Sequence, residues 1–135
     1  MKGLDTNVLV RFLVKNDHKQ ARAVYLLFKQ AETDREVFWV PLTVILETIW
    51  VLESVYQISR QEIVDSIADL LRLPVLKFES QPALQAFIHA AGDSRINLSD
   101  LLIACSARYS GCESVLTFDQ RAARHALFER LQGTL

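Results

Sequence analysis

The sequence predicts an α/β fold, a central parallel sheet of four to five strands between layers of helices, and three observations carry that prediction. Short apolar runs alternate with longer amphipathic segments along the chain, the order in which a parallel sheet and its crossover helices are built. The runs Glu36–Val40, Val75–Phe78 and Ser114–Phe118 are rich in apolar and β-branched residues, which suits strands covered on both faces. Two strand candidates lead into an acid, Asp5 and Asp119, and open parallel sheets carry their sites outside the carboxyl ends of the strands.

Each element has its own justification. Lys2–Leu4 is a short opening strand, and Thr6 or Asn7 caps a helix whose apolar face holds Val8, Leu9, Phe12 and Leu13. Asp17 caps a second helix, with Ala21, Val24, Tyr25, Leu27 and Phe28 inward and Lys19, Arg22 and Lys29 outward, ending near Thr33-Asp34. A strand over Glu36–Val40 stops at Pro41. The helix Thr43–Tyr56 is apolar around most of its circumference, so it has a second surface to satisfy besides the sheet. Ser59 with Glu62 forms a capping box opening a fourth helix through Leu71, with Pro74 beyond it. Val75–Phe78 is a third strand, and Ser80 with Pro82 starts a helix over Ala83–Ala91. After the loop Gly92–Arg95, Asn97 or Ser99 caps a helix Leu101–Tyr109 that stops at Gly111. Ser114–Phe118 is a fourth strand, and the tail Gln120–Leu135 holds one short helix and a last edge strand.

Composition limits the function. At 135 residues, half of them hydrophobic, the chain fits one domain, residues 1–135, with enough core to fold without disulfides or a structural metal. Fifteen basic residues against 16 acidic ones give a net charge of −1. That removes the global positive field of a loose polyanion binder, so any polyanion site must be built locally. Cys105 and Cys112 match neither a paired zinc motif nor a redox motif, and reduced thiols are expected. The chain carries no signal-peptide pattern and no apolar run of membrane-spanning length. A cytoplasmic protein without membrane contact is expected.

The chemistry lies in four acids. Asp5 and Asp119 follow strands one and four, Asp100 stands in the first turn of the helix before strand four, and Glu47 lies near the start of the helix after strand two. If strands one and four are neighbours, all four converge. Four hard oxygen donors without His or Cys suit Mg²⁺ or Mn²⁺, and a metal would relieve their mutual repulsion. Bound there, it supports phosphodiester hydrolysis. Each acid also has a local role open to it. Asp5 suits a helix cap, Glu47 a polar stripe with Thr43 and Ser54, Asp100 a favourable place at a helix N-terminus, and Asp119 a turn. Among weaker candidates, Arg11, Lys15, Arg121 and Arg124 flank a cleft and grip phosphates, or are simply solvated. His18, His89 and His125 are scattered, and Trp39 and Trp50 suit core or interface.

Gly3-Leu4-Asp5-Thr6-Asn7-Val8-Leu9, Glu47 in its apolar helix, Leu98-Ser99-Asp100-Leu101-Leu102-Ile103-Ala104 and Leu116-Thr117-Phe118-Asp119 together resemble a PIN-domain ribonuclease. Within that family they are most similar to VapC-type toxins of type II toxin–antitoxin systems. The resemblance spans essentially the whole chain. It implies an α/β/α sandwich and a Mg²⁺- or Mn²⁺-dependent endoribonuclease acting on RNA. It also implies neutralisation by a cognate antitoxin, DNA contact only through that antitoxin, and a homodimer. Carried over by position, Asp5, Glu47, Asp100 and Asp119 are the catalytic, metal-binding acids, and Thr6, Asn7, Asn97 and Thr117 support them. Asn97 stands where the family often has a further Asp, which lowers the charge at that place. Two other readings remain open from the residues. One is a haloacid-dehalogenase-like phosphotransferase, which expects an acid where Asn7 stands. The other is a non-catalytic protein-binding module built on the apolar helix at 43–56.

Overall fold

The computed structural model describes residues 1–133, so the last two residues of the predicted tail lie outside the described residues. The chain folds as two compact units, Met1–Glu79 and the segment from Ser80 onward.

The first unit contains β1 (Lys2–Gly3), α1 (Thr6–Leu13), α2 (His18–Asp34), β2 (Phe38–Val40), α3 (Leu42–Ser54), α4 (Arg60–Leu71) and β3 (Leu76–Phe78). Its strands form one parallel sheet in the order β1-β2-β3, with Gly3 opposite Trp39 and Trp39 opposite Lys77. Beyond β1 the ladder takes one more bond, from Leu4 N–H to the Trp39 carbonyl. Gly3 lies close under that strand, and a Cβ there would stand 3.7 Å from the Trp39 oxygen. Leu9, Val40, Ile45, Ile49, Ile63, Ile67 and Leu70 are fully buried, the residues that the 3.6-residue period of the helices and the apolar strand runs mark for the core. Phe28 stacks between Phe12 and Phe38, with ring centroids 5.0 and 6.0 Å away, which ties α1, α2 and β2 together.

The second unit contains α5 (Gln81–Gly92), α6 (Leu98–Tyr109), β4 (Val115–Thr117), a 3₁₀ turn (Ala122–Arg124) and β5 (Phe128–Arg130). Helices α5 and α6 pack on each other through Leu84, Phe87, Leu98, Leu101 and Leu102, all buried. β4 and β5 pair in parallel, Val115 opposite Phe128. Gly111 has φ +97° and closes α6. Its N–H donates to the Arg108 carbonyl and the Cys112 N–H to that of Ala107, the two bonds of a Schellman stop that glycine makes without strain.

The α/β class with parallel strands stands, and the predicted tail helix and edge strand are both present. Among the described residues the strands are hydrogen-bonded as a sheet of three in the first unit and a sheet of two in the second. Each strand has two or three residues, and β4 pairs with β5. A second difference concerns α1, whose N-cap is Asp5 itself, not Thr6 or Asn7. Asp5 is the last residue with extended backbone, at φ −83° and ψ 161°, and its carboxylate is the one positioned to accept.

Candidate active site

In the first unit, the parallel pairing of β1 and β2 brings the N-termini of α1 and α3 to the same edge of the sheet. Asp5 stands at that edge, exposed, with Oδ1 accepting the Thr6 N–H at 2.8 Å. Oδ2 is left over, and the positive end of the α1 dipole faces the carboxylate. Thr6 is buried directly after it and Asn7 is exposed. Glu47 lies in the second turn of α3, about 7 Å along the axis from the first helical residue at 1.5 Å per residue. Its neighbours on the helix face, Thr43, Trp50 and Ser54, are exposed with it, whereas Ile45, Thr48, Ile49 and Leu52 form the buried face. Thr48, fully buried, donates its hydroxyl to the Val44 carbonyl at 2.7 Å.

One acid at this edge escaped the sequence reading. Glu79 follows β3, and its Oε1 accepts the Leu42 N–H at 2.8 Å. Pro41, the N-cap of α3, brings no side-chain acceptor, so a carboxylate 37 residues away caps the helix instead. Only the pairing of β3 with β2 brings the two together, which is why no local pattern marks Glu79.

In the second unit, Asn97 is the cap of α6, its Oδ1 accepting the N–H groups of Ser99 at 3.0 Å and Asp100 at 3.3 Å. Asp100 is half-buried in the first turn. Asp119 is exposed after β4, and its Oδ1 accepts the N–H groups of Arg121 at 2.8 Å and Ala122 at 3.2 Å. Its own N–H donates to Thr117 Oγ1 at 3.0 Å. Thr117 therefore fixes the backbone of Asp119, and Asp119 fixes the turn that follows.

The local roles open to these acids are thus all realised, Glu47 in an exposed polar stripe and Asp100 in the first turn of α6; at Asp5 and Asp119 the role takes up one carboxylate oxygen and leaves the other. Among the described residues, Glu47 and Asp100 accept no hydrogen bond at their carboxylates and pair with no cation. All four acids offer a hard oxygen donor, the chemistry a Mg²⁺- or Mn²⁺-sized ion takes. Among the described residues no three His, Cys, Asp or Glu side chains gather into a ready metal cage. The fit to a divalent ion lies in the donor chemistry, not in a preformed cluster.

The basic candidates separate. Arg11 is engaged, donating Nε–H to Gln20 and an NH1 proton to the Tyr56 hydroxyl at 3.1 Å, where the Asn16 amide also donates. The Arg11 bond, helped by Asn16, holds the Tyr56 phenol below its ordinary pKa. Two of the five guanidinium donors of Arg11 are thus taken up within the protein. Arg121 and Arg124 line an open pocket of about 430 Å³ in the second unit. His18 and His89 are exposed, as their scatter suggested, and His125 is half-buried. Trp50 is 58% exposed and Trp39 half-buried. Cys105 and Cys112 are free thiols, the first buried and the second exposed. Burial pushes the Cys105 thiol up, against a smaller opposing effect of the Arg108 charge.

A parallel α/β chain with acids after its strands and at its helix starts belongs to a recognisable class, and residues 3–127 match the family model of the PIN domain. The chain is a member of the PIN-domain family. A relative is the VapC ribonuclease of Aquifex aeolicus (strain VF5), 26% identical over 121 residues that cover 90% of this chain and 89% of the relative. No helix among the described residues is long and apolar enough to cross a membrane.

Proposed function

We propose that this protein is a metal-dependent endoribonuclease toxin that hydrolyses RNA phosphodiester bonds and is neutralised by a cognate antitoxin. The observation that carries the reading is the similarity to a VapC ribonuclease over 90% of the chain, together with four acids that each keep an oxygen free of hydrogen bonds among the described residues. One family match running from residue 3 to residue 127 supports treating the chain as a single functional domain.

In this reading Asp5, Glu47, Asp100 and Asp119 hold Mg²⁺ or Mn²⁺. An ion held by them would supply Lewis-acid stabilisation of the phosphoryl oxygens and activation of a water. The chain's own residues do the positioning. Thr6 N–H fixes one Asp5 oxygen, Thr117 and the backbone of Arg121 and Ala122 fix Asp119, and Asn97 fixes the first turn from which Asp100 projects. Asn7 completes the polar surroundings of Asp5. A carboxylate whose rotamer is already held loses less entropy on taking up a ligand.

A partner surface belongs to the same proposal. Trp50 and Val55 on and after α3, with Tyr25, Leu26 and Leu27 on α2, are large apolar side chains left exposed. They support an antitoxin contact and a homodimer, with DNA reached only through the antitoxin. The two unpaired thiols suit a reducing, cytoplasmic setting. The phosphotransferase alternative has no support once the family is assigned. The protein-binding reading persists as a second property of the same molecule.

The test is cleavage of structured RNAs by protein freed of antitoxin, with Mg²⁺ or Mn²⁺, against the Asp5→Asn variant. The wild type is expected to cut and the variant to lose on the order of 10²-fold or more, the scale of removing one preorganised electrostatic contact. Equal activity would overturn the assignment of Asp5.

A further inference from the structure

The strongest unassigned feature is the pocket of the second unit lined by Ser94, Arg95, Ile96, Arg121, Arg124 and His125. Among the described residues its lining includes three arginines and no acidic side chain. Among the described residues none of these guanidinium groups donates a hydrogen bond to the protein or forms an ion pair, although the chain as a whole has more acids than bases. Like charges facing one concavity repel unless an anion lies between them. His125 adds to the same polarity. Its Nδ1 accepts the Leu127 N–H at 3.1 Å, so the neutral ring carries its proton on Nε2 as a further donor. Ser94 braces the loop, its Oγ accepting the Ile96 N–H at 3.0 Å.

We propose that this pocket is a phosphate subsite for the RNA backbone, in which Arg95, Arg121 and Arg124 grip a phosphodiester flanking the bond that is cut. Guanidinium forks match phosphate oxygens bidentately, and contacts of this kind set register without reading sequence. The link to the chemistry is covalent and short. Asp119 accepts the N–H groups of Arg121 and Ala122, so one turn joins the acid to two of the three arginines, Arg121 and Arg124. The inference rests on the ribonuclease reading and adds to it the means of holding the substrate.

The test is equilibrium binding of a fluorescein-labelled single-stranded RNA to the full chain, read by anisotropy in chelating buffer so that no turnover occurs. Arg95→Gln and Arg124→Gln are each expected to weaken binding roughly tenfold, the scale of a charged hydrogen bond. The slope of log affinity against log salt should fall by about 0.7 per lost phosphate contact, a quantity independent of the fraction of protein that is folded. Arg124→Lys should keep the slope. Affinity and slope unchanged in both glutamine variants would overturn the proposal. So would an arginine dependence seen with a polyglutamate peptide and not with RNA. Arginine-dependent binding by a protein that never cleaves RNA with added metal would count against the ribonuclease reading alone. Arginine-independent binding by one that does cleave would count against this subsite alone.

Discussion

The two units solve the same local problem with the same kind of residue and then treat their basic side chains differently. In each, an acid after a strand takes up one oxygen in shaping the backbone that follows: Asp5 on Thr6, Asp119 on Arg121 and Ala122. In each, a second acid on a helix, Glu47 or Asp100, accepts no hydrogen bond and forms no ion pair through its carboxylate among the described residues. The arginines diverge. Arg11 of the first unit is held by Gln20 and Tyr56, whereas Arg121 and Arg124 of the second line an open pocket and form no ion pair among the described residues. The comparison teaches that a structural role at one oxygen of a carboxylate leaves the other available. It also teaches that a basic residue is informative only once its partners are known.

The largest effect that tests the parallel between the units is on activity. Asp5→Asn, Glu47→Gln, Asp100→Asn and Asp119→Asn are each expected to cost on the order of 10²–10³ in kcat, measured on one RNA under saturating metal. A unit in which neither substitution matters would break the parallel. A smaller effect separates the two kinds of acid. Asp5→Ala should lose about 1 kcal/mol of stability, a helix cap's ordinary contribution, while Asp5→Asn keeps the cap. Glu47→Gln, on an exposed face, should shift stability by less than about 0.5 kcal/mol. Urea unfolding of the three variants checks this. Glu79→Ala should also cost about 1 kcal/mol, because it uncaps α3.

Much of this was legible in advance because it is local. The caps at Asp17, Ser59 and Asn97 and the stop at Gly111 are read from residues within three or four positions of one another, and all of them are present. The candidate acids could be named because strand ends and helix starts are visible as pattern changes. What escaped depends on long-range pairing. Glu79 reaches Leu42 and Arg11 reaches Tyr56 across 37 and 45 residues, and Arg95 lines one pocket with Arg121 and Arg124 across an entire helix and strand. No periodicity encodes such distances. The division of the strands into three and two was hidden for the same reason, since a three-residue run says that it is a strand and not which strand it joins.

The difference between the basic groups is sharpened by Arg11→Ala. RNA affinity should stay within about twofold, whereas Arg124→Gln loses roughly tenfold. Ultraviolet titration of the phenols should show Tyr56 ionising at higher pH than in the wild type, because the hydrogen bond that lowers its pKa is gone. The smallest effect concerns the thiols. Iodoacetamide should alkylate exposed Cys112 well before Cys105, whose raised pKa leaves less thiolate at any pH below it. Peptide mass mapping over time reads the order.

The central claim is that the candidate acids are ligands of a divalent ion. Calorimetric titration of Mn²⁺ into the wild type, Glu47→Gln and Asp100→Asn tests it without an RNA substrate. The account predicts binding to the wild type and a loss of at least tenfold in affinity in each variant, the low end for disturbing a metal's surroundings. Undiminished Mn²⁺ binding in either variant, or none in the wild type, would contradict it.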